Sequence, residues 1–187
     1  CAQDIVRKMG DLVNRLMWFS RLYNKSETVA MTPIDLALIL DTRLAILRGR
    51  IAERDLRVET KIPSQSCLVA TDETLISVLM NNLIGNAVAH ADRGTEVRVA
   101  LRSVDGVISI QISNACRTFE QTELEHIFEP FYRSDTARSL DEGHTGIGLA
   151  LSQEIANLLG IELKIHFSED SIFTVEIRFS ENNDQFS

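Results

Sequence analysis

GHTGIGLALSQEIANLLG, from Gly143 to Gly160, runs a glycine-rich turn directly into an amphipathic helix. Gly143, Gly146 and Gly148 leave the backbone free of Cβ atoms where its N–H groups can converge on an anion. Ile147, Leu149, Leu151, Ile155, Leu158 and Leu159 supply the side of the helix that is expected to be buried. A helix N-terminus behind glycines is a phosphate site, because its unpaired N–H groups and its dipole both favour negative charge. The stretch is not G-x-x-x-x-G-K-[ST]. Nor is it a Rossmann fingerprint, since Phe128 to Glu142 reads as loop where a strand would have to precede it. Taken alone it fits a capped core helix with glycines for a tight turn better than a phosphate site, so the decision falls to the rest of the chain.

The chain has 187 residues, 44% of them hydrophobic and 25% charged, which suits one large or two small domains with a proper core. Its net charge of −8 argues against nucleic acid or an anionic membrane surface as a partner, because counterion release needs basic patches. Three cysteines, Cys1, Cys67 and Cys116, lack metal-ligand spacing and point to a reducing, cytoplasm-facing compartment. No run approaches the roughly 18 apolar residues of a membrane span. A chain that opens at Cys1 in mid-helix pattern reads as a fragment, which leaves room for membrane segments upstream.

From Cys1 to Tyr23, Ile5, Met9, Leu12, Leu16, Phe19 and Tyr23 recur at spacings of four and three, widened by Val6, Val13 and Met17. That is the seam of a helical bundle, and it needs a partner helix. A polar link over Arg21 to Thr32 sets a domain boundary, giving a partial hairpin over 1–27 and a second domain over 28–187. Pro33 to Glu53 reads as a helix with Pro33 in its first turn and Leu36, Leu38, Ile39, Leu40, Leu44, Leu47 and Ile51 on one broad side. Strands are expected over Leu56 to Ile62 and Cys67 to Ala70, then a helix capped by Asp72 and running to about Ala91. Thr95 to Arg102 and Val107 to Ile112 alternate as a hairpin turning at Asp105-Gly106. Ala115 to Thr145 has little periodicity beyond a short helix near Thr122 to Phe128, and a loop of that length suggests a functional lid. Ile161 to Phe167 and Ile172 to Phe179 make a last hairpin before a polar tail. The expected class is α+β: a two-layer sandwich of one mixed, mainly antiparallel sheet with helices on one face, preceded by a long bundle-type helix.

On the Asp72 helix, Leu75, Leu79, Asn82 and Asn86 follow at spacings of four, three and four, so two carboxamides continue an apolar stripe. Buried asparagines must satisfy several hydrogen-bonding sites. Either loop backbone meets them or a polar ligand does, and in the second case Asn86 offers an amide oxygen to Mg²⁺, which shares its shell with phosphates and water. His90, one turn on, is placed to reach a phosphate or a sugar hydroxyl, or to lie at the surface. In the long loop, FEPFYR (Phe128 to Arg133) and Arg138 set aromatics beside guanidinium groups suited to phosphate charge, with Phe119, Phe128 and Phe131 as lid anchors.

NNLIGNAVAHA (Asn81 to Ala91), IFEPFYRSDTARS (Ile127 to Ser139) and GHTGIGLAL (Gly143 to Leu151), in this order and spacing, resemble the N, F and G2 boxes of two-component sensor histidine kinases, whose catalytic domain has the gyrase-type (Bergerat) ATPase fold. DLVNRLMWFSRLYNKSE (Asp11 to Glu27) is similar to the end of that family's dimerisation and phosphoacceptor hairpin. The resemblance implies that ATP and Mg²⁺ are the cofactors, with Asn82 and Asn86 binding nucleotide and Asn86 the metal ligand. It makes Arg133 a phosphate contact and, with Asn86, a catalytic residue. Gly143, Thr145, Gly146, Ile147, Gly148 and Leu149 become lid hinge and triphosphate cradle, with His90 and Arg138 as further nucleotide contacts. It also implies a cytoplasmic domain of a protein that can be anchored in the inner membrane, a homodimer formed through the hairpin, and a response regulator receiver domain as partner. Contact with nucleic acid, or of this fragment with a membrane, is not expected.

Two departures stand out. The family's G1 box is an aspartate-containing D-x-G-x-G whose aspartate accepts from the adenine amino group; here the segment is Asn114-Ala-Cys-Arg-Thr118. By strand register, after Ile110 and Ile112, Asn114 takes the aspartate position, and its carbonyl can still accept that bond without the charge. Ala89 stands where many members have a phosphate-facing lysine, leaving Arg117 or Arg138 to compensate. Secondly, no phosphoacceptor histidine precedes Asp11, since His90, His126, His144 and His166 all lie in the ATPase part. The implied function is therefore the half of a histidine kinase that presents the γ-phosphate of Mg·ATP to a histidine on the dimerisation helix. The rival is a nucleotide-free or degenerate phosphotransfer scaffold on the same fold.

Overall fold

The computed structural model describes residues 29–132 and 146–179, together with Gly10, Val13 and Met17, which are helical. The domain assigned to 1–27 otherwise lies outside the described residues.

The elements are β1 (Thr32–Asp35), α1 (Leu36–Glu53), β2 (Arg57–Lys61), β3 (Leu68–Thr71), α2 (Glu73–His90), β4 (Glu96–Val104) and β5 (Val107–Ala115). A 3₁₀ turn (Gln121–Glu125), α3 (Gly148–Leu159), β6 (Ile161–Phe167) and β7 (Ile172–Phe179) complete it. Five strands form a mixed sheet in the order β2-β4-β5-β7-β6, in which only the β2–β4 pair is parallel. The expected α+β class and one-sided helical layer are what the structure has.

Three details of the expectation are corrected. Pro33 does not open a helix: it lies in β1, which pairs antiparallel with β3 as a separate two-stranded sheet, so the strands do not form one sheet. The side chain of Asp35 sets this boundary, because its Oδ1 accepts from Ala37 N at 3.0 Å as N-cap of α1 and from Cys67 N at 3.1 Å. Leu38 is 67% exposed rather than part of the buried side of α1, where Leu36, Leu40 and Leu47 do the packing. Leu158 of α3 is likewise turned outward, at 40% exposure.

The core lies between the three helices and one face of the sheet. Val97, Val99 and Leu101 of β4, Ile110 and Ile112 of β5, and Val175, Ile177 and Phe179 of β7 supply its floor. Helix α2 packs against α1, α3 and β5, and buries ten of its residues, which explains a helix apolar on most of its surface. Each large aliphatic side chain buried there contributes roughly 1.5–3 kcal/mol. The opposite face of the sheet is polar: Glu59, Arg98 and Glu96 pair across β2 and β4, and Arg178 pairs with Glu176. Between β4 and β5 the chain reverses through Asp105 (φ 51°) and Gly106 (φ 79°), two left-handed residues in succession as a two-residue hairpin requires.

Candidate functional site: the faces of α2, β5 and the start of α3

Helix α2 starts where Asp72 Oδ1 accepts from Leu75 N at 3.0 Å. At its far end Asp92 N donates to Ala115 O at 2.8 Å, and Asp92 Oδ2 accepts from Arg117 N at 3.2 Å, fastening the helix end to the end of β5. The phase of α2 is thereby fixed, and with it the direction of the two carboxamides.

Asn82 is 4% exposed, and its Nδ2 is buried with no hydrogen-bond partner among the described residues. A buried donor left unmade costs about 1–3 kcal/mol, so such an atom marks a place where a polar ligand is expected to complete the structure. Asn86, one turn on, is half-buried, which leaves its amide oxygen able to meet a solvated group. His90 is exposed, and Ala89 is buried, so no charge stands at that position.

Asn114 extends the inward-facing row of Ile110 and Ile112 on β5 and is 3% exposed. Its cross-strand neighbours are Val97 and Phe173, and its Nδ2 donates to Ala115 O at a long 3.3 Å. Beyond it Cys116 is buried. Burial pushes its thiol above the ordinary range against the hydrogen bond with Thr118, and the nearby Asp92 charge adds to the rise. Arg117, a candidate replacement for the missing lysine, is turned to Asp92, with Nε 3.7 Å from Oδ2.

The third wall is the start of α3. Ile147 occupies its N-cap with no side-chain cap bond, and the first turn carries no acidic residue. Among the described residues no side chain caps the opening amides or offsets the dipole there. Ile147 and Leu151 belong to the same core cluster as Leu79, Leu83 and Ala87, so α3 is anchored against α2. Gly146, just before, has φ 68°, and a Cβ on it would stand 2.6 Å from Tyr132 O and 2.7 Å from Phe131 C. Phe131 N donates to Gly146 O at 3.0 Å, so the two ends of the 133–145 segment are clasped together, with Phe131 itself at φ 69°.

A groove of about 300 Å³ on the opposite face of the sheet, beside Gln111, is lined in part by Glu59, which pairs with both Lys61 and Arg98. Its lining holds neither an unpartnered buried donor nor a helix start.

The family model described as histidine kinase-, DNA gyrase B- and HSP90-like ATPase matches residues 71–182, which takes in all three walls. The chain belongs to this ATPase family. The sensor-like histidine kinase SenX3 of Mycobacterium tuberculosis is 33% identical to the ATPase chain over 151 residues, 80% of this chain and 36% of SenX3. The chain thus spans little more than a third of that relative. Among solved structures, the Acinetobacter baumannii histidine kinase AdeS superposes with a TM-score of 0.78 at 20% identity, covering 97% of this chain and 82% of that one. Full-length ShkA, solved in complex with AMPPNP, gives 0.77 at 19% identity, covering 90% of this chain and 35% of ShkA. These two likenesses carry the fold. With the family match and SenX3, the ATPase chain corresponds to the ATP-binding catalytic domain of sensor histidine kinases.

Of the residues singled out in the sequence, Asn82, Asn86, Asn114, Gly146, Ile147, Gly148 and Leu149 of the ATPase lie on α2, β5 and the start of α3, around one side of the helical layer. Arg133, Arg138, Gly143 and Thr145 lie outside the described residues. Phe119 anchors the loop after β5 by edge-on contacts with Phe167 and Phe173, at centroid distances of 4.9 and 5.1 Å, and Phe128 packs on the core. The Phe131 side chain is 66% exposed instead of packed as an anchor. Sequence reasoning missed the Asp92 fastening and the Phe131–Gly146 clasp. A glycine required next to a long loop was the one available signal for the clasp.

Proposed function

We propose that the cleft between α2 and the start of α3 binds Mg·ATP and presents its γ-phosphate to a histidine on a helical dimerisation domain, for relay to a response regulator. The reading rests chiefly on Asn82, a buried amide donor without a partner among the described residues.

Each residue then has a task. The opening amides of α3 meet phosphate oxygens, helped by a backbone at Gly146 that no side chain obstructs. Asn82 donates from Nδ2 into the cleft. Asn86 supplies one oxygen ligand to Mg²⁺, consistent with a metal that takes few protein ligands and completes its shell with phosphate and water. When bound, Mg²⁺ neutralises charge on the triphosphate. Asn114, at the floor, faces the base. Arg133 and Arg138 are proposed as phosphate contacts from the loop. Phosphoryl transfer asks mainly for positioning and charge neutralisation, so no nucleophile is needed from this chain.

Pairing through the bundle helix, a receiver-domain partner and a cytoplasmic setting follow from the relatives' designation as sensor kinases and are proposals for the intact protein. No helix among the described residues is long and apolar enough to cross a membrane. The test is titration with a fluorescent ATP analogue with and without Mg²⁺. Saturation in the micromolar range that requires Mg²⁺ supports the reading, whereas no binding at millimolar nucleotide leaves the scaffold alternative.

A further inference from the structure

The base end of the cleft carries a side chain whose chemistry is two-faced. Asn114 is 3% exposed, at the end of the inward row of β5, with apolar Val97 and Phe173 as cross-strand neighbours. A carboxamide has two N–H donors and two acceptor lone pairs. Among the described residues the single hydrogen bond made by this one is the Nδ2 contact to Ala115 O at 3.3 Å, at the long end for such a bond. Toward the described residues, one hydrogen on Nδ2 and the whole of Oδ1 are left uncommitted. The backbone around it is held from both sides, by Asp92 N on Ala115 O at 2.8 Å and by Cys116 N on Ser171 O at 2.8 Å, so the strand end cannot move to satisfy the amide.

A carboxylate at this position would accept hydrogen bonds only, and would repel an oxygen presented to it. The neutral amide accepts through Oδ1 from a 6-amino group and donates through Nδ2 to a 6-oxo group. We infer that Asn114 lets this nucleotide site take 6-oxopurine triphosphates, of the inosine and guanosine type, alongside ATP. The inference rests on the nucleotide-site reading above and adds a substrate class to it. Sites that hydrogen-bond one functional group strictly reject an analogue lacking it by about 10⁴-fold or more, because buried partners are left unpaired. A site whose reader can present either end of an amide avoids that penalty.

The test is direct binding of ATP and of inosine triphosphate, both with Mg²⁺, to the wild-type chain by calorimetry; inosine lacks the 2-amino group of guanine and so isolates position 6. Dissociation constants within about tenfold of one another are expected. Asn114→Asp should widen the ratio in favour of ATP to about a hundredfold or more, and Asn114→Ala should weaken both nucleotides to a similar extent. Tight ATP binding by the wild type with no inosine triphosphate bound at millimolar concentration overturns the inference and leaves the nucleotide site standing. If neither nucleotide binds, the nucleotide site itself falls and the inference with it. The wild-type comparison decides the matter even if the aspartate variant fails to fold.

Discussion

Replacing Asn82 by leucine should make the protein more stable and less functional at once. The Asn82 amide is 4% exposed, its Nδ2 has no partner among the described residues, and Leu79 and Leu83 on the same helix are fully or almost fully buried. Removing an unsatisfied buried donor recovers about 1–3 kcal/mol. Leucine adds some volume, and misfit in a packed core can return about 1 kcal/mol of that gain. A net stabilisation of up to about 2 kcal/mol remains, worth up to roughly 8 °C in Tm for a domain of this size. Ligand present at a hundred times its dissociation constant adds about 2.7 kcal/mol to a protein that binds it, so the wild type should gain on addition of Mg·ATP and Asn82→Leu should not. Urea unfolding followed by circular dichroism, with and without nucleotide, measures both effects. A variant at least 1 kcal/mol less stable than wild type without nucleotide would mean that the fold itself satisfies this amide, and the reasoning would be wrong.

Gly146→Ala forces a Cβ to within 2.6 Å of Tyr132 O at a backbone with φ 68°, so the clasp at the foot of the 133–145 segment must open. A loss of about 1–3 kcal/mol in urea unfolding and weaker nucleotide binding are expected, and an unchanged midpoint would refute the clasp. His126 Nδ1 lies 2.7 Å from Glu129 Oε1, and hydrogen bonding to that carboxylate, then its charge, raises the imidazole's pKa. The pair therefore stabilises the fold below the ordinary histidine value, and that contribution is lost as pH rises through the elevated one. An NMR titration should place His126 above about 6.5, and Glu129→Gln should lower it; a titration unmoved by that change would show the carboxylate to be irrelevant. Trypsin should cut after Arg133 and Arg138 more slowly once Mg·ATP is added, and equal rates would contradict a loop ordered by nucleotide.

Patterns of period two and period three to four carried most of the fold into view from sequence. Alternation placed β4 through β7, and the Asp105-Gly106 pair fixed a turn only left-handed residues can make. Pro33 misled because its fixed φ suits a helix start and a strand end equally, and the deciding fact is tertiary: Asp35 bonds to the backbone of Cys67, thirty-two residues on. Leu38 and Leu158 misled because a broad apolar side says nothing about which part of it a neighbouring helix covers. Around the cleft, the spacing of Asn82 and Asn86 was readable because polar residues interrupt an apolar stripe. Their unequal burial was not, since it depends on how α3 lies over α2. Asn114 was placed by strand parity alone, and its burial agrees with that register.

The central claim is that a magnesium triphosphate lies between Asn86 and the amides that open α3. Proton–nitrogen NMR spectra with Mg·ATP added, then repeated with Mn²⁺ in place of Mg²⁺, test it most directly. The account predicts shifts at the backbone amides of Gly148 and Leu149 and at the side-chain amides of Asn82 and Asn86, with Mn²⁺ broadening Asn86 most strongly. Shifts and broadening confined to the polar face of the sheet, around Arg98 and Gln111, or no change at saturating nucleotide, would contradict it.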